Sequence, residues 1–249
     1  MTFLTSYWRA LRVALGFLTT LPVPLVKAWR EDDLRLAVRA YPVVGLIIGG
    51  LLALAFVLFA PLAPMLRGVL ITALWLLVTG ALHFDGFCDL ADAAFAPKSA
   101  EERWRIVKDP RVGAFALGAG SLLVLTKAAA IGALGSAGAL VIISILSRST
   151  VTWAMANYPV YDVSLLGRRT NLRFEETLLP LTLGFVLSAL VAALWLQPLP
   201  YLFLLLAAAL TTLLLATWLN RKMAGLGGDA YGALVESSEA VMLVVATLY

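Results

Sequence analysis

One cysteine, one histidine and very little charge are the first facts of this chain. Cys88 stands alone among 249 residues, so no disulfide can close within the chain and a cysteine-built zinc site is excluded. Charged residues make up 14%, where an ordinary soluble domain carries about 25%. No alternation of apolar and polar residues runs through the sequence, which argues against a β-barrel. There is no Walker A or kinase signature. The basic residues are scattered over short loops, so nothing marks a nucleic-acid footprint. A cleavable leader is not expected either. Arg9, Arg12 and the apolar stretch from Val13 to Leu21 mimic one, but Leu21-Pro22-Val23-Pro24 follows where a small-x-small cleavage site would stand.

What is present is apolar. Hydrophobic residues reach 61%. A membrane helix needs about 20 mostly apolar residues. The sequence predicts an all-α, polytopic integral membrane bundle with about seven spans, at 43–60, 67–84, 113–134, 137–156, 177–197, 199–219 and 231–248. The chain reads as one membrane domain, 1–249. Residues 1–42 form an amphipathic lead-in at the interface, and 85–112 hold an acidic motif and a basic loop.

Lys and Arg orient these spans. They gather before span one (Arg9, Arg12, Lys27, Arg30, Arg35, Arg39) and after span two (Lys98 to Arg111). They recur after span four (Arg168, Arg169, Arg173) and after span six (Arg221, Lys222). The opposite loops hold only Arg67, while Lys127 and Arg148 fall inside spans. The long loops, and all candidate chemistry, are therefore expected to face the cytoplasm.

The richest motif is His83-Phe84-Asp85-Gly86-Phe87-Cys88-Asp89-Leu90-Ala91-Asp92. Asp85, Asp89 and Asp92 are i, i+4 and i+7, one stripe of a helix. Like charges so placed repel, and a divalent cation turns repulsion into coordination. Carboxylate oxygens suit Mg²⁺ or Mn²⁺. A second stripe, Asp229, Glu236 and Glu239, follows Gly227-Gly228, with the two glutamates inside the last span. An intramembrane acid marks a functional site and asks for a partner. The metal, Arg148 and Lys127 are the candidates, and a purely structural ion pair stays open. Lys108 and Arg111 flank a turn before Gly113 and suit phosphate, as do Arg and Lys generally. Arg148 either snorkels or reaches a phosphate. Lys127 lies deeper. His83 is read as a general base, a substrate contact or a hydrogen-bonded interfacial histidine. Acids for a metal and bases for phosphate point to phosphoryl-group chemistry at a membrane.

Taken together, these pieces resemble the cobalamin synthase family, the adenosylcobinamide-GDP ribazoletransferases. The resemblance rests on Phe17-Leu18-Thr19-Thr20-Leu21-Pro22-Val23-Pro24, Tyr41-Pro42-Val43-Val44-Gly45, the His83-to-Asp92 motif and Lys108-Asp109-Pro110-Arg111-Val112-Gly113. It extends to Ser147-Arg148 and to Gly228-Asp229-Ala230-Tyr231-Gly232-Ala233 with Glu236 and Glu239. It implies a Mg²⁺-dependent enzyme of the bacterial cytoplasmic membrane. Such an enzyme joins adenosylcobinamide-GDP to α-ribazole, or its 5′-phosphate, and releases GMP. It implies a metal held by Asp85, Asp89, Asp92 and Asp229. Lys108, Arg111 and Arg148 would neutralise phosphate, with Glu236 and Lys127 as further substrate contacts and Asp92 or His83 as proton acceptor. Membrane lipid and other corrinoid-assembly enzymes are the expected neighbours, and nucleic acid is not.

The nearest rival is a CDP-alcohol phosphotransferase of lipid synthesis, which also uses an Asp-Gly-led metal motif. Asp89-Leu90 occupies the place where that family has Ala-Arg. A secondary transporter would show two related halves with interrupted helices, and the sequence shows no such repeat.

Overall fold

A computed structural model of the chain describes residues 3–24, 26, 32–161 and 172–249. Lys27, Arg30, Arg168 and Arg169, part of the charge bias, lie outside the described residues. Within them the chain is helical, with no strand beyond an isolated bridge between Val160 and Leu226. The helices are α1 (Phe3–Leu18), α2 (Asp33–Ala37), α3 (Tyr41–Leu58), α4 (Pro64–Thr79), α5 (Leu82–Phe95) and α6 (Ala100–Val107). They continue as α7 (Ala114–Ala133), α8 (Gly138–Asn157), α9 (Phe174–Trp195), α10 (Pro198–Met223) and α11 (Gly228–Ala246).

Residues 1–42 include an amphipathic helix, α1, and the break at Leu21–Pro24 is non-helical. But Asp33 to Ala40 is helical and runs on into α3, so the first span covers Asp33–Leu58 rather than 43–60. Arg9 holds α1 against this extension through Asp33 at 2.6 Å.

Between helices in lipid there is little hydrophobic drive, so packing of small residues decides the contacts. A Cβ on Gly45 would sit 2.3 Å from the Ser144 carbonyl oxygen, and one on Gly68 would sit 1.9 Å from that of Ala128. Backbones of α3 and α8, and of α4 and α7, therefore touch. α8 is buried nearly all round. Leu77, Leu117, Leu122, Leu194 and Leu214 point outward around it, as lipid-facing residues do.

The expected second span, 67–84, requires correction. Its apolar run is not one helix. Gly80 and Ala81 both take left-handed backbone, at φ 59° and 55°, and α5 leaves α4 at 94°. A left-handed alanine costs about 1–2 kcal/mol. The open end of α4 is met from the N-terminal segment. The Thr20 amide donates to the Val78 carbonyl at 2.8 Å, and the Thr20 hydroxyl to the Leu77 carbonyl at 2.8 Å. The count changes with it. Five described helices are long and apolar enough to cross a membrane, or six if α4 and α5 are one broken span. α11, the expected seventh, carries three acids.

Candidate active site and the ion network beneath it

α5 carries the acidic stripe and lies between α7 and α11. Two glycines bring α11 against it. A Cβ on Gly86 would fall 2.8 Å from the Asp229 Cα, and one on Gly232 would fall 3.0 Å from the His83 carbonyl oxygen. Side chains at either position would push the helices apart. With both absent, Asp229 reaches the stripe, and Asp89 lies within electrostatic range of Asp85, Asp92 and Asp229. Asp85 is exposed, while Asp89 and Asp229 are half-buried. Four carboxylates therefore share one neighbourhood.

Asp92 differs from the rest. Its carboxylate accepts the Gly113 N–H at 2.7 Å and the Ala116 N–H at 2.9 Å, at the start of α7. A negative charge there satisfies open amides and opposes the helix dipole. Gly113 makes the approach possible, since a Cβ would meet the Asp92 carboxylate at 2.5 Å. Asp92→Ala is expected to cost about 1–2 kcal/mol of stability, the range for losing a helix-terminal carboxylate or cap. A denaturation midpoint in detergent checks this, and an unchanged midpoint would refute the capping role.

The basic loop divides. Arg103 and Trp104 are spent on structure, a role the sequence reading missed. The Arg103 guanidinium donates to the Lys222 carbonyl at 2.7 Å and the Trp104 indole to the Met223 carbonyl at 2.7 Å, closing the last turn of α10. Lys108 and Arg111 stay at the surface. Lys108 has no ion pair among the described residues. Arg111 is 87% exposed and grips Asp109 at 2.5 Å, holding the Asp109 carboxyl down to about 2.

Lys127, Arg148 and Glu236 were expected on substrate. The structure brings them together, but with one another and in the bundle interior. The Lys127 ammonium donates to Glu236 at 2.5 Å and to Glu239 at 2.6 Å. Arg148 Nη1 pairs with Glu239, and Ser147 donates to the same carboxylate at 3.1 Å. The Trp75 ring lies 4.5 Å from the ammonium. All four charged groups are at most 3% exposed, and the two positive charges match the two negative ones. The structural ion pair left open for Glu239 is the arrangement found. His83 belongs to this interior rather than to the stripe. It is buried, lies within electrostatic range of Arg148, Glu239 and Lys127, and its Nδ1 has no hydrogen-bond partner among the described residues. Among the described residues the Nε and Nη2 edge of Arg148 is also without a hydrogen-bond partner.

The donor set suits a hard divalent cation. Among the described residues no three of His, Cys, Asp and Glu converge as a complete metal cage. Mg²⁺ does not need one, since one or two carboxylates plus substrate phosphates commonly hold it.

Fold and site thus define a polytopic helical membrane protein with a carboxylate site at its basic end. A family model described as cobalamin-5-phosphate synthase matches residues 10–247, and the chain belongs to that family. Relatives named adenosylcobinamide-GDP ribazoletransferase include that of Deinococcus radiodurans, 38% identical over 95% of this chain and 84% of the relative. That of Brevibacillus brevis is 34% identical over 93% and 95%. That of Pseudomonas aeruginosa PAO1 is 38% identical over 96% and 98%. No solved structure matches.

Proposed function

We propose that this chain is an adenosylcobinamide-GDP ribazoletransferase acting at the cytoplasmic face of a bacterial inner membrane. The observation that carries the reading is that Asp89 lies within electrostatic range of both Asp85 and Asp229, brought alongside by the Gly86 and Gly232 contacts, in a chain of this family. Lys and Arg concentrated at the same end support the cytoplasmic placement.

In the proposed reaction a hydroxyl oxygen of α-ribazole, or of its 5′-phosphate, attacks the phosphorus joined to cobinamide. A new P–O bond forms, the bond to GMP breaks, and GMP leaves with the electron pair. Mg²⁺ would supply charge neutralisation on the pyrophosphate, held by one or two carboxylates drawn from Asp85, Asp89 and Asp229. Lys108 and Arg111, both on the surface beside the start of α7, attract and orient the phosphates. The open edge of Arg148 is the further candidate for an anionic group, and it requires access to the bundle interior.

The hydroxyl proton needs an acceptor. Asp92 and His83 were the expected ones. The Asp92 carboxylate already accepts two backbone amides, and His83 is buried beside the ion network. These placements favour a carboxylate of the freer pair, Asp85 or Asp89, with Asp92 keeping the α7 terminus in register.

GMP release by the detergent-purified protein from adenosylcobinamide-GDP plus α-ribazole phosphate tests the proposal. Release is expected only with Mg²⁺ and in step with cobalamin phosphate formation. Folded protein that instead releases CMP from a CDP-linked lipid would move the chain to the CDP-alcohol phosphotransferases.

A further inference from the structure

The back of α5, opposite the carboxylates, forms one wall of an apolar groove. Leu90, Ala94 and Phe95 of α5 face Leu215 and Trp218 of α10 across a space of about 310 Å³, with Ala233 of α11 at its base. The groove exists because α10 packs closely on α11 and hardly touches α5. Phe95 closes one end, with its ring 5.5 Å from that of Phe115 and 5.7 Å from that of Trp218. A tryptophan such as Trp218 near the end of a span is a side chain typical of a membrane interface.

The chemistry changes at that end. Leu215, Leu219 and Lys222 are i, i+4 and i+7 on α10, so Lys222 continues the groove face one turn beyond Trp218. Arg221 lies beside it and is exposed. Neither side chain has an acidic partner among the described residues. The Arg103 guanidinium adds a third positive charge, because it is bonded to the carbonyls of Ala96 and Lys222 rather than to a carboxylate. An apolar groove thus ends at three cations that have no acidic partner among the described residues.

We propose that this groove is a binding site for one anionic phospholipid. An acyl chain lies between α5 and α10, and the headgroup phosphate sits on Lys222, Arg221 and Arg103. The inference is independent of the reaction proposed above, since none of these three residues belongs to the carboxylate site. Charge complementarity selects this occupant. A zwitterionic lipid brings its own cation and leaves the three positive charges unmatched.

The test is native mass spectrometry of the full-length protein in detergent, titrated with phosphatidylglycerol or with phosphatidylcholine of the same chains. One phosphatidylglycerol per chain is expected to be retained about tenfold more strongly than phosphatidylcholine, an affinity ratio of about 1.4 kcal/mol. Arg221→Gln with Lys222→Gln is expected to abolish the preference. Leu215→Trp, which fills the groove, is expected to lower retention of both lipids. Equal retention of the two lipids by the parent protein overturns the site and leaves only a general lipid coat. So does a preference that survives the double substitution. Circular dichroism and melting of each variant confirm that it is folded, and Arg221→Lys is expected to keep the preference.

Discussion

Asp89→Asn is expected to lower kcat for GMP release by about 10² to 10³, the scale on which one preorganised electrostatic contact to a transition state is lost. The same substitution is expected to leave the melting temperature unchanged or slightly raised. The two effects oppose each other for a structural reason. Asp89 lies within electrostatic range of Asp85, Asp92 and Asp229, and among the described residues no basic side chain offsets them at Asp89. Without a cation these charges only repel, so removing one relieves the fold while disabling the site. Active sites carry this kind of cost and structural carboxylates do not. Asp92→Asn provides the contrast, since it is expected to lose stability by weakening the start of α7. Rates and melting measured on the same preparations decide the matter. An Asp89→Asn protein that melts early and is inactive for that reason would remove the argument, as would one that retains full Mg²⁺-dependent turnover.

The second large effect concerns the buried network. Lys127→Met leaves Glu236 and Glu239 with only Arg148, one positive charge against two negative ones in the bundle interior. Breaking a buried pair in this way costs about 3–5 kcal/mol, whereas replacing both partners by groups of similar shape is often neutral. Lys127→Met combined with Glu236→Gln is therefore expected to return most of the lost stability. Denaturation midpoints of the two variants in one detergent measure it. If Lys127 and Glu236 were substrate contacts instead, the double variant would bind substrate no better than the single one. A double variant as unstable as Lys127→Met would show that the pair does not act as a charge-balanced unit.

The sequence made the bundle legible through long apolar runs, and five of the expected spans sit close to their helices. The acidic stripe was legible because i, i+4 and i+7 place carboxylates on one helical face whatever the tertiary fold. Family membership, too, could be read from the motifs before any coordinates. The break at Gly80-Ala81 was not legible. Hydropathy runs unbroken from 67 to 84, and an alanine gives no sign of left-handed backbone. Nor could the sequence divide labour within a charge cluster. Asp92 looks like Asp85 and Asp89 until α7 is brought to it by Gly113, 21 residues on. Arg103 and Trp104 likewise reach the end of α10 across 119 residues. In the interior, spacing showed that Glu236 and Glu239 share a face. Only packing showed that Lys127 and Arg148 neutralise them.

The break between α4 and α5 also bears on how the chain enters a bilayer. α4 has 16 residues, about 24 Å of helix, against a hydrocarbon core of about 30 Å. Alone it is a weak insertion signal, and α5 adds acids rather than length. The backbone contact of Gly68 with Ala128 places the missing support on α7, made later in synthesis. Thr20, which bonds the last carbonyls of α4, is made before it. The acidic helix would thus settle only after chain on both sides of it has been delivered, so the carboxylates would be assembled late, into a bundle already able to hold them.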